Sequence, residues 1–149
     1  MKILVPVDGS KYALEALNVA VDFAKTKGGE ISVISVVPYI GGMDDQEISP
    51  ARRERHMETF EKRADEIVKQ ACDILHAANV TSSCTKNIVT SVSIADSITD
   101  FAETEKIDLI VMGSRGLSPS TSFKLGSVAS QVVKNSPCSV YLVKAPAEQ

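Results

Sequence analysis

Four times along the chain a short apolar run, rich in β-branched residues, gives way to a stretch whose apolar residues recur every three or four positions, and a fifth short run closes the pattern. This alternation constrains the fold more than any other feature, because strand-period and helix-period patterns do not substitute for one another. The strands are predicted at Lys2 to Val7, Ile31 to Val37, Val80 to Val89, Asp108 to Gly113 and Ser139 to Lys144. Ser10 is the expected N-cap of the first helix, whose stripe is Ala13, Leu14, Leu17, Ala20, Val21 and Ala24 and which stops at Gly28-Gly29. The second helix is the longest, with Met57, Phe60, Ala64, Ile67, Val68, Ala71, Leu75 and Ala78 on one face. Ile94, Ile98, Phe101 and Ala102 mark a third helix ending near Glu105. Ser127 to Asn135 make a fourth, with Val128, Ala129, Val132 and Val133 turned inward. Strands that alternate with helices pair in parallel through right-handed crossovers, so the expected fold class is α/β: a three-layer α/β/α sandwich around an open, Rossmann-like parallel sheet of five strands. No repeat, linker or second domain is visible, and the expectation is one domain over residues 1–149.

Composition narrows the function. A formal net charge of −3 argues against the broad basic surface that nucleic acid requires, so any phosphate contact is local. The N-terminal segment lacks the zones of a secretory signal, and no apolar run approaches the roughly 20 residues that span a bilayer, which makes a cytoplasmic protein without a membrane segment the expectation. Cys72, Cys84 and Cys138 are an odd number without a CxxC pair and read as reduced, small buried hydrophobes. Cys72 and His76 stand four apart and share a helix face, but two ligands do not make a metal site, so none is assigned. The run Arg52, Arg53, Arg55 is offset by Glu54, Glu58 and Glu61 and reads as a solvated helix face. Pro38 to Pro50, with Gly41-Gly42 and Asp44-Asp45, reads as a polar insert: a mobile flap, a partly disordered stretch or a solvated connection.

One stretch carries chemistry. Gly113-Ser114-Arg115-Gly116 follows the fourth strand, and after nine residues Gly126-Ser127 opens the fourth helix. Glycine admits close approach of a bulky anion, and a helix N-terminus offers unpaired N–H groups and a favourable dipole. In open α/β sheets ligands lie beyond the carboxyl ends of the strands, where the winding reverses. If strands 1 and 4 are neighbours there, the loops after Val7 and Met112 face one crevice. Asp8 then accepts hydrogen bonds from ribose hydroxyls or an adenine amino group, or else serves as a turn residue before Gly9-Ser10. Gly113 and Gly116 let the main chain pass close to ribose and phosphate, Arg115 either lends charge or points into solvent, and Gly126, Ser127 and the Val128 amide close around the terminal phosphates. The plainer reading makes Gly116 a turn and Ser127 an N-cap.

Over essentially its whole length the chain resembles the universal stress protein family, through Val5-Pro6-Val7-Asp8-Gly9-Ser10, Asp108 to Gly116 and Gly126-Ser127-Val128. The resemblance implies strand order 3-2-1-4-5 and ATP binding by members with the complete G-x2-G-x9-G-(S/T) signature. It also implies a homodimer formed by antiparallel pairing of the last strands, here Val140 to Val143. By the same resemblance Pro6, Val7 and Asp8 line the adenosine side with Val36 near the base, and Met112 to Gly116 contact ribose and phosphates. Two stretches depart from the family pattern: Ser118-Pro119-Ser120-Thr121-Ser122 between the glycines, and Thr90-Ser91-Val92-Ser93 before the third helix.

Catalysis is poorly provided for. There is no GxxxxGK[ST] loop and no GxGxxG turn, and His56 and His76 both lie on the second helix, away from the strand ends, so no catalytic residue is assigned. The leading expectation is a regulatory module switched by ATP, with Mg²⁺ or Mn²⁺ carried on the phosphates, in the stress response that the resemblance implies. The alternatives are slow ATP hydrolysis or self-phosphorylation on Ser118, Ser120, Thr121 or Ser122, and a dimeric scaffold independent of nucleotide or taking another adenine nucleotide.

Overall fold

Ile3, Leu4 and Val5 of the first strand, β1 (Lys2–Pro6), are all buried, the pattern of a strand covered on both faces. The computed structural model describes residues 1–38, 49–89, 93–116 and 125–144. Its elements follow in the order β1, α1 (Lys11–Lys27), β2 (Glu30–Pro38), α2 (Pro50–Ala77), β3 (Ser82–Val89), α3 (Ile94–Thr104), β4 (Leu109–Gly113), α4 (Ser127–Asn135) and β5 (Ser139–Val143). All strand pairs are parallel and the order across the sheet is β3-β2-β1-β4-β5. Alternate residues of β1 supply two cores. Ile3 and Val5 face α1 and α2 with Leu17 and Leu75, while Leu4 faces α3 and α4 with Ile98, Ile110 and Val132. At the opposite end from the site, the Lys2 and Asp108 main chains and the Asp108 carboxylate fix β1 to the start of β4, through Lys2 N to Asp108 Oδ2 and Asp108 N to Lys2 O, both 2.8 Å. Among the described residues no helix is long and apolar enough to cross a membrane.

Several details depart from the sequence reading. β3 begins at Ser82 instead of Val80, because Asn79 takes a left-handed φ of 57° and the Val80 amide turns back to the Leu75 carbonyl at 3.2 Å, closing the end of α2. Phe60 and Val133, expected inward, are 40% and 47% exposed, while the fully buried residues are Ala64, Ala71 and Leu75 of α2 and Ala129 and Val132 of α4. Arg53, expected on a solvated face, is half-buried, and its Nε has no partner among the described residues. The three cysteines, expected to be buried, are half-buried free thiols, with Cys84 and Cys138 packed against the two cores. Residues 39–48 of the expected insert, the turn at 90–92 and the hydroxyl-rich stretch 117–124 lie outside the described residues.

Candidate functional site

β1 sits between β2 and β4, so the chain leaves β1 toward one side of the sheet and β4 toward the other, and the two departing loops open a crevice at the C-terminal rim. The cleft there measures about 320 Å³, at the small end of ligand sites. Pro6, Val7 and Asp8 border it from the end of β1, Val36 from β2, and Met112, Gly113, Arg115 and Gly116 from β4 and its loop. Gly126, Ser127 and Val128 close it at the start of α4. All of the residues singled out from the sequence therefore meet in one place.

The turn after β1 is tightly built. Gly9 adopts φ 85°, a conformation that L side chains rarely take, and this lets the Ser10 amide donate to Asp8 Oδ1 at 2.9 Å. Ser10 then caps α1, its hydroxyl accepting from the Ala13 amide at 3.2 Å. Asp8 is thus both a turn residue and a cleft residue: its side chain is exposed, and its second oxygen, Oδ2, lies against Gly116.

The three signature glycines serve different ends. A Cβ on Gly113 would fall 2.5 Å from Tyr12 Cβ and 3.0 Å from the Arg115 carbonyl, so this glycine admits α1 against β4, and only its main chain borders the cleft. A Cβ on Gly116 would fall 2.7 Å from Asp8 Oδ2, so this glycine holds open the space the carboxylate occupies. Close approach of ligand to main chain, expected from the sequence for both, is accompanied in each by a demand from the protein itself. Gly126 differs again: its φ of −69° and ψ of 159° suit any residue, and a Cβ there would meet nothing nearer than 3.4 Å.

Gly126 is the N-cap of α4 and Ser127 its first helical residue, so the plainer reading of Ser127 as the cap does not hold. The Gly126 amide is used internally, donating to the Ser114 carbonyl at 2.7 Å, and the first helical bond is Ser130 N to the Gly126 carbonyl at 2.9 Å. The amides of Ser127, Val128 and Ala129 precede that bond, and no side chain caps them. Ser114, buried, fixes their position, since its amide also donates to the Val143 carbonyl at the end of β5 at 2.9 Å. The apolar part of the lining is formed by Val36, Ile94, Ile98 and Met112. The cleft therefore offers apolar side chains that suit a flat apolar group and uncapped amides that suit an anion.

Sequence reasoning did not assign Ser10, Ala13, Ile94, Ile98 or Ala129 to the site, although all border it. Ile94 opens α3 and is 37% exposed, although the helical stripe places it with the core.

The family model of universal stress proteins matches residues 1–144. The chain belongs to the universal stress protein family. A curated universal stress protein of Methanocaldococcus jannaschii is 33% identical over 154 aligned positions, covering 99% of this chain and 84% of that one. Among solved structures, the protein MJ0577 matches with a TM-score of 0.85 at 24% identity, covering 99% of this chain and 97% of the other. A universal stress protein from Archaeoglobus fulgidus in complex with dAMP matches at TM-score 0.70 and 23% identity, covering 97% and 98% of the two chains. Two further universal stress proteins of this fold are in complex with AMP, from Arabidopsis thaliana (TM-score 0.70, 16% identity, covering 99% of this chain and 93% of that one), and with cAMP (TM-score 0.68, 23% identity, covering 96% of each).

Proposed function

We propose that this universal stress protein binds an adenine nucleotide, ATP above all, and uses it to bias its conformation as a regulatory module of the stress response. The observation that carries this reading is the first turn of α4, presented uncapped to a cleft that Val36, Ile94, Ile98 and Met112 also line. The base lies between Val36, Ile94 and Met112; Asp8 accepts from ribose hydroxyls or the adenine amino group; the phosphates reach the Ser127, Val128 and Ala129 amides, the Ser127 hydroxyl and Arg115. The adenine nucleotides held by relatives of the same fold support the choice of base. Mg²⁺ or Mn²⁺ enters on the phosphates, and no catalytic residue is assigned.

The module acts in the cytoplasm as a homodimer joined through β5. That strand pairs only with β4 among the described residues, and Tyr141 on it is 45% exposed while stacking edge-on against Phe23 of α1 at 5.4 Å. Sedimentation should show a dimer that Tyr141→Lys converts to monomer; a wild-type monomer removes this interface.

The site is tested by calorimetric titration of ATP into wild-type protein and Gly126→Val. The backbone at 126 accommodates valine, so the variant folds, while its methyl groups enter the phosphate end of the cleft. Affinity should fall by at least about tenfold, or 1.4 kcal/mol. Equal affinity of the two folded proteins would remove the site, and release of phosphate from ATP would reassign the protein as a slow hydrolase.

A further inference from the structure

Ser114 clasps the two ends of one unit. Past the last paired rung of β4 and β5, Gly113 with Val143, its amide donates to the Val143 carbonyl at 2.9 Å, and its own carbonyl accepts from the Gly126 amide at 2.7 Å. Gly126 opens α4 and Val143 ends β5, so between the two bonds lie the helix whose first turn borders the cleft, a short connection, and the edge strand. Ser114 is 3% exposed, so water is a poor substitute for either bond, and breaking one leaves a buried polar group unmet. The same end anchors β5. Along that strand burial runs exposed, half-buried, exposed, half-buried and then buried, and Val143 is its one buried residue.

We propose that Ser114 couples the cleft to the β5 edge, so that a nucleotide at the first turn of α4 and a second copy of this chain on β5 strengthen each other's binding. Both partners are those of the adenine-nucleotide site and the β5 interface proposed above, on which this coupling rests. The two states are the clasp closed, as in this structure, and the clasp open, with the end of β5 released from Ser114 and the α4 cap free to shift. Phosphate on the Ser127, Val128 and Ala129 amides fixes the cap that donates to Ser114. A second copy hydrogen-bonded along β5 fixes the strand that accepts from it. Each therefore favours the closed clasp, and linkage makes the effect reciprocal: the factor by which dimerisation raises the affinity of a site for nucleotide is the factor by which nucleotide in that site raises the affinity of the dimer.

The test uses the full chain. Sedimentation over a dilution series, without and with saturating ATP, should give a dimer dissociation constant about a hundredfold lower with nucleotide, about tenfold for each of two filled sites. Calorimetry of ATP into the Tyr141→Lys monomer should show affinity about tenfold below that of the wild-type dimer, although Tyr141 is not among the residues lining the cleft. On that monomer, amide hydrogen exchange read by NMR should slow at Ser114 as well as at Gly126 when ATP is added. A wild-type dimer constant that bound ATP leaves unchanged would overturn the coupling and leave the site standing. Slowing at Gly126 alone would overturn it too, because the nucleotide would then act without reaching β5. ATP bound by neither protein would overturn the site, and a wild-type monomer at every concentration the interface, and the coupling falls with either. The wild-type dilution series decides whether or not Tyr141→Lys folds.

Discussion

Four helices of this molecule begin in nearly the same backbone conformation, yet one begins differently. Ser10, Ser49 and Ser93 cap α1, α2 and α3 with φ of −78°, −66° and −70° and ψ of 159°, 152° and 164°, each hydroxyl accepting from the amide three residues on. Gly126 caps α4 at −69° and 159° and has no side chain to offer. Serine would fit there as well as at the others, so the backbone does not explain the glycine. A side-chain cap is worth about 1 kcal/mol. The shortest of the four helices forgoes it at the cleft that α1 and α3 also border with their own first turns capped. On the proposed function an acceptor from outside the chain occupies that turn, and the contrast is then between helix ends that serve the fold and one that serves a ligand.

The harshest way to break the comparison is to ask whether every signature glycine is spared for the ligand. Gly113→Ala drives a Cβ into Tyr12, and overpacking of this kind should cost about 3 kcal/mol of stability in urea unfolding. If that variant keeps its stability and loses only ATP affinity, Gly113 belongs with Gly126 and the division between them fails. Ser127→Asp is the sharper instrument, because its two effects have opposite signs. A carboxylate in the first turn stabilises α4 by a few tenths of a kcal/mol to about 1, and the same charge repels phosphate, weakening ATP by about 2 kcal/mol, roughly thirtyfold. A fall in melting temperature together with unchanged affinity would show that no anion visits this helix end.

Much of this was legible in the chain, for physical reasons that also mark where legibility stops. Each strand and helix declared itself by its period, and α4 was placed to the residue because Gly126 and Asn135 bound a short, regular stripe. The start of β3 was not, since nothing in Asn79-Val80 announces a left-handed residue that extends the end of α2. Phe60 and Val133 lie on apolar stripes that continue past the surface the core can cover. At the site, Asp8 and the glycines were readable because such residues have little reason to follow a buried strand unless a turn or ligand needs them. Ile94 and Ala13 were not, because an apolar residue lining a cleft and one lining a core look the same on a helical stripe.

Two alanine substitutions test the comparison at smaller amplitude. Ser93→Ala removes the bond to the Asp96 amide at 3.1 Å and should cost about 1 kcal/mol of stability, with ATP affinity unchanged. Ser127→Ala should do the reverse, leaving stability unchanged and costing about 1 kcal/mol of binding, the worth of one hydroxyl hydrogen bond. Calorimetry and thermal melts on both proteins give the four numbers, and a stability loss in Ser127→Ala would make that hydroxyl part of the fold.

The smallest change asks the question most directly. Gly126→Ser gives α4 the cap that the other three helices have, on a backbone already in the required conformation and with no contact nearer than 3.4 Å to its Cβ. Its hydroxyl would accept from the Ala129 amide, one of the three that the cleft presents, and relative to glycine the helix should gain a few tenths of a kcal/mol. ATP then competes with an internal acceptor and meets added bulk at the phosphate end, and affinity should fall about threefold to tenfold as the melting temperature rises slightly. A rise in stability without loss of affinity would mean that the amides of this turn face no phosphate, and the glycine would need another cause. A loss of both would place the cause in the contacts of the Cβ with Arg115 and Ser114, outside the helix altogether.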